Sequence, residues 1–402
     1  MAGADLPAGV PGAGLPGAAG PAPDGLPAAE GAGPACPDGL GELDDLAAVE
    51  RAAAAVLPRD VWDFVAGGSG QERTLAANRA AFDRLYVTPR VLRDVSACAT
   101  DTTLLGRPAR LPVAVAPVAY QRLLHPHGEV AAARAARAAG VPFTVATLSS
   151  VPVEEVTAVG GTVWFQLYWL REPGRSLDLA RRAEDAGCAA VVLTVDVPWM
   201  GRRARDVRNG FALPAHVDAA RLDAGAGSAA HRAPGRGSAV AAHTAGAFSA
   251  ALTWRRVAEL RAATRLPLVL KGVLAPEDAV RAVELGVDAV VVSNHGGRQL
   301  DGALPGVEAL PAVAEAVRAA GGGCEVLLDG GVRRGVDVLG ALALGADGVL
   351  VGRPPLWGLA VAGEAGVRHV LDLLTAELRD ALGLAGCAGV AAARELRVTR
   401  LP

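Results

Sequence analysis

Residues 268–298 read LVLKGVLAPEDAVRAVELGVDAVVVSNHGGR. A short apolar run, Leu268–Lys271, leads into an Ala/Glu/Arg-rich segment of helical pattern, 276–285, and then into a second apolar run, Ala289–Ser293. Neither run alternates between apolar and polar side chains. Unbroken apolar runs suit parallel strands whose two faces are both covered. The stretch therefore predicts a strand–helix–strand unit of a parallel sheet. Polar residues follow each run at once: Lys271-Gly272 after the first, and Ser293-Asn294-His295-Gly296-Gly297-Arg298 after the second.

The same unit recurs outward in both directions. Further runs lie at Val113–Ala119, Phe143–Leu148, Val163–Tyr168, Ala189–Val195, Val326–Leu328 and Gly348–Val351. Helical patterns fill the intervals at 127–139, 153–159, 174–187, 253–264, 306–320, 333–344 and 355–380. Eight βα units point to an α/β fold, a (β/α)8 TIM barrel. A doubly wound open sheet is the competing arrangement. It normally places a GxGxxG turn after its first strand, and AVAPVAYQR has none. Residues 43–80 read as a helical cap, and TTLLGRPARLP (102–112) as a hairpin turning at Gly106-Arg107 and plugging the barrel floor. More than 50 residues, about 197–252, separate the fourth strand from its helix. An insertion of that length at a strand's C-terminal end is expected to form a lid over the mouth.

Composition narrows the function. The chain has 402 residues, 51% of them apolar, with a net charge of −3. Neither a basic nucleic-acid footprint nor a polybasic membrane patch is present. No uncharged apolar run is long enough to span a bilayer, and the N-terminus lacks the pattern of a signal peptide. Five scattered cysteines, none with zinc-ligand spacing, read as reduced thiols of a cytoplasmic protein. Residues 1–42, almost all Ala, Gly and Pro, read as a disordered tail ahead of one folded domain, 43–402. A second low-complexity stretch near 218–247 reads as a mobile loop.

In a barrel of this kind chemistry gathers at the C-terminal strand ends. Those ends carry Pro117-Val118-Ala119, Thr147, Gln166-Leu167-Tyr168, Thr194-Val195-Asp196, Lys271, Ser293 to Arg298, Asp329-Gly330-Gly331-Val332-Arg333 and Gly352-Arg353. The last two form glycine turns where backbone N–H groups can approach a phosphate, with Arg333 and Arg353 as clamps. His295 can act as a base, with Asp196 to orient it, and Tyr168 can donate to a substrate oxygen. Arg298 and Arg203 can each take a carboxylate. Lys271 is the only lysine among 39 basic residues. Its compact ammonium suits the edge of a cofactor ring that gains negative charge on reduction, where a planar guanidinium would not fit.

Together these stretches resemble the FMN-dependent 2-hydroxy-acid oxidase and dehydrogenase family, from about residue 45 to 390. SNHGGRQLDG and DGGVRRG are its most specific motifs, joined by AGGSGQERTLAANRAAFDR, APVAYQRLLHPHGE, WFQLYW, LTVDVPWMGRR and LALGADGVLVGRP. The resemblance is strongest to the branch acting on mandelates. It implies FMN as cofactor, His295 as base backed by Asp196, and Arg298 and Arg203 on the substrate carboxylate. It sets Tyr168 at the substrate, and Lys271 at the N1/O2 side of the flavin. It implies flavin contacts from Gln166, Thr194, Ser293, Thr147 and the backbone of 117–119. Asp329, Gly330, Gly331, Arg333, Gly352 and Arg353 would hold the ribityl phosphate. Two departures bear on substrate. Phe64 stands where the family usually has a carboxylate-binding tyrosine, and Leu148 where small-substrate oxidases often have tryptophan. Both favour an aryl substrate, with Met200, Phe64 and Ala119 lining its pocket. The expected reaction is oxidation of (S)-mandelate or (S)-4-hydroxymandelate to the 2-keto acid, with oxygen as acceptor and peroxide as product. The competing readings are a lactate/glycolate-type oxidase, a dehydrogenase using another acceptor, an FMN-dependent isomerase and a non-redox phosphate-binding barrel. The resemblance also implies a homo-oligomer, a tetramer or octamer.

Overall fold

The structure is a computed structural model that describes residues 39–220, 229–231 and 237–402. The tail expected over 1–42 lies outside the described residues except for its end, where Leu40–Glu42 form one 3-10 turn. The chain then enters three helices, α1 (Leu46–Val56), α2 (Arg59–Ala66) and α3 (Arg73–Asp83). Strand β1 (Leu85–Thr88) and a hairpin of β2 (Thr102–Leu104) and β3 (Arg107–Ala109) follow. The barrel strands are β4 (Val113–Val115), β5 (Phe143–Val145), β6 (Val163–Leu167), β7 (Ala190–Thr194), β8 (Leu268–Val273), β9 (Ala289–Val292), β10 (Glu325–Asp329) and β11 (Gly348–Val351). They run parallel in sequence order, and β11 closes onto β4. The helices between them are α4 (Gly128–Ala139), α5 (Val153–Thr157), α6 (Pro173–Asp185), α7 (Ala204–Asn209), α8 (Ala239–Ala247), α9 (Trp254–Ala263), α10 (Pro276–Glu284), α11 (Gly306–Ala320) and α12 (Gly335–Ala343). Helix α13 (Arg353–Leu384) packs on α1 and α4, and β12 (Arg397–Arg400) pairs antiparallel with β1. No described helix is long and apolar enough to cross a membrane.

The eight-stranded barrel meets the expectation from the runs. The pleat of its strands sorts two layers inside it. Ala114, Trp164, Val192, Val269, Val291, Leu327 and Leu350 fill the middle of the interior. Two residues further along the same strand faces stand Ala116, Gln166, Thr194, Lys271, Ser293, Asp329 and Gly352. Because side chains alternate with period two, an apolar middle layer places its successors on the inner rim. The polar rim is thus the next layer of the barrel interior.

Two expectations are corrected. The hairpin turns at Leu105-Gly106 (φ 49° and 70°), one residue before Gly106-Arg107, and Arg107 already pairs with Leu104. Two consecutive left-handed residues match the twist of a two-residue hairpin. The turn is held there by Glu325, whose carboxylate oxygens accept the Leu105 N–H at 2.9 and 3.0 Å. Leu104 enters the floor against Gly348, where a Cβ would lie 2.7 Å from Leu104 Cδ2. The second correction concerns the low-complexity stretch near 218–247. Its described part includes α8, which buries Ala239, Val240, His243 and Thr244. The Ser238 side chain caps this helix by accepting from Ala241 N at 3.4 Å. Alanine favours helix without bulk, so burial here comes from close approach.

Trp164 is completely buried at the centre of the barrel among Ala114, Ala189, Ala190 and Ala289. Its replacement by alanine leaves a cavity these small neighbours cannot close. Urea unfolding of Trp164→Ala is expected to show a loss of about 3–5 kcal/mol.

Candidate active site

The mouth of the barrel opens into a cavity with about 1220 Å³ of empty space. Lys271 and Asp329 of the polar rim line it. Lys271 Nζ lies 2.7 Å from Asp329 Oδ2 and donates to Ser293 Oγ at 3.0 Å. Burial alone would lower the lysine's pKa. The carboxylates of Asp329 and Asp196 outweigh it and hold the ammonium charged above its ordinary range. The other oxygen of Asp329, Oδ1, is buried with no hydrogen-bond partner among the described residues.

His295 stands just past β9 in the left-handed region, at φ 59°. Ser293 Oγ accepts its backbone N–H at 3.0 Å, and Asn294 caps the turn by accepting from Gly297 N at 3.1 Å. Asn78 of α3 exchanges amide hydrogen bonds with Asn294 at 2.7 and 2.9 Å, so the helical cap fixes this loop. The His295 ring nitrogen Nδ1 is 3.0 Å from Asp196 Oδ1, and Nε2 is left for the cavity. Burial pushes the imidazole below its ordinary pKa, and Asp196 works against that. For Asp196 burial acts upward, but His295 and Lys271 prevail and keep the carboxyl ionised below its usual range. Asp196 fits because position 272 is glycine: a Cβ there would lie 2.6 Å from the Cβ of Asp196.

Arginines surround the rest. Arg203 and Arg298 lie over the ring of Phe64, with guanidinium carbons 5.6 and 5.5 Å from its centroid. Phe64 itself stacks on Phe211 at 4.6 Å. Arg298 donates to the carbonyls of Gly67 at 2.7 Å and Val65 at 3.4 Å. Among the described residues Arg203 has one acidic neighbour within salt-bridge range, the fully buried Asp206 at 3.8 Å. Burial, with the charges of Arg203 and Arg353, drives the pKa of Arg298 well down. Arg353 donates to Val65 O, Gly296 O and Gly67 O at 3.1, 3.0 and 3.0 Å, and burial brings its pKa to about 9. Arg333 lies over Trp357 at 4.8 Å, and burial brings it to about 10. Among the described residues neither Arg298, Arg333 nor Arg353 forms an ion pair. Buried cations without counter-charges make the cavity a receptor for anions.

Beside Arg333 the chain forms a glycine cradle. Gly330 and Gly331 have φ of 87° and 91°, and a Cβ on Gly331 would lie 2.4 Å from Asn78 O. Positive φ and close approach both require glycine here. The cradle, the two arginines and the orphaned oxygen of Asp329 fit a ligand with a phosphate at one end and hydroxyls behind it.

The structure gathers Phe64, Pro117, Val118, Ala119, Tyr168, Met200, Arg203, Lys271, His295, Arg298, Asp329, Gly330, Gly331, Arg333, Gly352 and Arg353 around this cavity. Thr147, Gln166 and Thr194 lie beside it in a chain of hydrogen bonds. Gln166 Nε2 donates to Thr194 Oγ1 at 2.9 Å, and Thr147 N donates to Gln166 Oε1 at 3.1 Å. Thr147 Oγ1 in turn accepts from Tyr168 N at 3.0 Å. Sequence reasoning missed one wall. Phe248 stacks on Tyr168 with centroids 4.4 Å apart, burial being the main force that pushes the Tyr168 phenol up to about 12. Val240 and Thr244 of α8, together with Tyr120 and Leu124, complete that wall. These residues carry no charge, and α8 lies in a stretch whose composition reads as loop.

Comparison with known proteins bears on the family and the fold. Residues 53–400 match the family described as FMN-dependent dehydrogenase. The chain is 64% identical to the 4-hydroxymandelate oxidase of Amycolatopsis orientalis, over 87% of this chain and 97% of that one. It is 48% identical to an L-lactate oxidase of a Nostoc species, over 84% and 93%. A mandelate oxidase crystal structure with (S)-4-hydroxymandelic acid superposes with a TM-score of 0.86 and 62% identity, over 89% of this chain and 99% of that chain. A variant of mandelate oxidase, solved with an FMN adduct, superposes with a TM-score of 0.80 and 58% identity, over 88% and 99%. With a match through nearly the whole barrel, this chain belongs to the FMN-dependent dehydrogenase family.

Proposed function

We propose that this chain oxidises an aryl (S)-2-hydroxy acid, (S)-mandelate or (S)-4-hydroxymandelate, to its 2-keto acid, with oxygen as final acceptor and hydrogen peroxide as co-product. The observation that carries this reading is the grouping in one cavity of His295, held from behind by Asp196, of Arg298, without an ion pair among the described residues, beside Arg203, and of an apolar wall. FMN, the family's cofactor, supplies when bound an acceptor for the two electrons that leave the substrate carbon. Asp329 Oδ1, the N–H groups of 330–331, Gly352, Arg333 and Arg353 would hold its ribityl phosphate chain. Lys271, the 117–119 backbone, Ser293 and the chain through Thr147, Gln166 and Thr194 would hold or support its ring.

Arg203 and Arg298 take the substrate carboxylate, replacing the hydroxyl that a tyrosine at position 64 would offer. Phe64 instead gives both cations an aromatic face. His295 Nε2 takes the proton leaving the substrate, from its hydroxyl or its α-carbon. Asp196 holds the ring through Nδ1 and stabilises the imidazolium that results. Tyr168, protonated throughout the neutral range, donates to the substrate oxygen. The described cysteines are free thiols, in keeping with a reducing cytoplasm. Exposed apolar residues such as Leu92 and Leu384 support the reading of a homo-oligomer, a tetramer or octamer.

Three measurements test this reading. The yellow protein given (S)-mandelate under air is expected to yield 2-keto acid and peroxide in equal amounts; neither product forming would defeat the proposal. Dye reduction without peroxide would indicate a dehydrogenase instead. Second, kcat/KM should fall as acid protonates His295. In Asp196→Asn the group that raises the His295 pKa is lost, so this acid limb moves to lower pH while the rate drops about a hundredfold or more. A limb that stays in place removes Asp196 from its role. Third, Lys271→Arg keeps the charge but not its shape. It is expected to slow flavin reduction about a hundredfold in stopped-flow absorbance or to lower FMN occupancy. A variant indistinguishable from wild type would return the lysine to chance.

A further inference from the structure

We propose that Thr244 recognises a hydroxyl on the substrate ring, so that the preferred substrate is an aryl 2-hydroxy acid whose ring donates a hydrogen bond. The proposal rests on the aryl-hydroxy-acid reading above and names the ring substituent which that reading leaves open.

Val240 and Thr244, four residues apart on α8, and Phe248 just beyond its end all line the cavity. Two of the three are hydrocarbon; Thr244 is buried and polar. A threonine hydroxyl has one proton and two acceptor lone pairs. That proton goes to the Ala241 carbonyl one turn back, at 3.0 Å. Met200 Sδ lies 3.9 Å from the same oxygen, a contact too soft to compete. The oxygen is therefore committed as a donor inside its helix and still open as an acceptor.

The placement fits a ring. Met200 is three residues before Arg203, so the loop that supplies a carboxylate ligand also reaches Thr244. Phe248 continues the wall by stacking on Tyr168. A ligand anchored by its carboxylate at Arg203 and Arg298 thus has Met200 and then Thr244 along its far side. An acceptor at that point pairs with a phenol O–H. It offers nothing to a hydrogen or a halogen, and a methoxy group brings a second acceptor against it. Selectivity by a buried polar group is steeper than selectivity by shape, because the mismatched ligand leaves that group unpaired.

The test uses the FMN-loaded enzyme with (S)-mandelates bearing 4-hydroxy, 4-fluoro or 4-methoxy groups, measuring 2-keto acid formed. Wild type is expected to prefer the 4-hydroxy compound over the 4-fluoro compound about tenfold in kcat/KM. In Thr244→Val, which keeps the shape and removes the oxygen, that ratio should fall to near one. Thr244→Ser should keep it. A wild-type ratio near one, or a valine variant that retains the full ratio, would overturn the proposal while leaving the aryl-acid reading intact. The wild-type series decides alone should the valine variant fail to hold FMN. If wild type oxidises none of the mandelates but does oxidise lactate, the aryl-acid reading fails first and this proposal with it.

Discussion

Lys271 projects into the barrel mouth from an interior strand face, where its ammonium is shielded from solvent. An isolated charge there would be costly, and removing one partner of such a pair commonly costs about 3–5 kcal/mol. Asp329, two strands away, supplies the counter-charge, and Ser293 from the strand between supplies the hydrogen bond. The three meet because β8, β9 and β10 pair in the register that puts residues 271, 293 and 329 on the inner rim. A slip of one residue would turn all three toward the helices. The fold and the site therefore share one constraint: the pleat must place an apolar layer in the barrel and a polar one directly above it.

Above that rim the balance of charge changes sign. Arg203, Arg298, Arg333 and Arg353 face the cavity, and among the described residues only Asp206 comes within salt-bridge range of any of them. Hydrogen bonds to main-chain carbonyls at the end of α2 fix Arg298 and Arg353, which orients them without cancelling their charge. The helical cap is thus part of the cavity wall. Its Phe64 gives two guanidinium groups an aromatic face, and its Asn78 secures the loop that carries His295.

Much of this was legible in the chain. Eight apolar runs gave the barrel, because strands buried on both faces leave a hydropathy pattern that survives without alignment. The strand ends gave the polar residues of the site, since lysine, histidine and glycine turns are conspicuous beside such runs. The aromatic wall was not legible. Phe248 and Thr244 belong to a stretch rich in alanine and glycine, where helix and loop look alike and where burial comes from tertiary approach. The hairpin turn lies one residue before the position its glycine suggests, because Leu105 adopts a left-handed conformation that ordinarily favours glycine. The pairing of Phe64 with both arginines was also hidden, since α2 meets those loops only in three dimensions.

Gln299 offers a last observation. Its amide donates to the carbonyls of Asp196 and Trp199 at 2.9 Å each, and its oxygen accepts from Gly201 N at 3.0 Å. One side chain thereby splices the loop of Asp196 and Arg203 to the loop of His295 and Arg298. The loops that bring His295, Asp196 and the two arginines together form a single mechanical piece. The backbone of the wall of α8 and Phe248 is tied to Phe211, Leu170 and Trp169. The two pieces still touch, Phe64 on Phe211, Met200 against Thr244 and Tyr168 on Phe248. A mutation that reshapes the wall of α8 and Phe248 therefore presses on the neighbours of Arg203 and Arg298 as well.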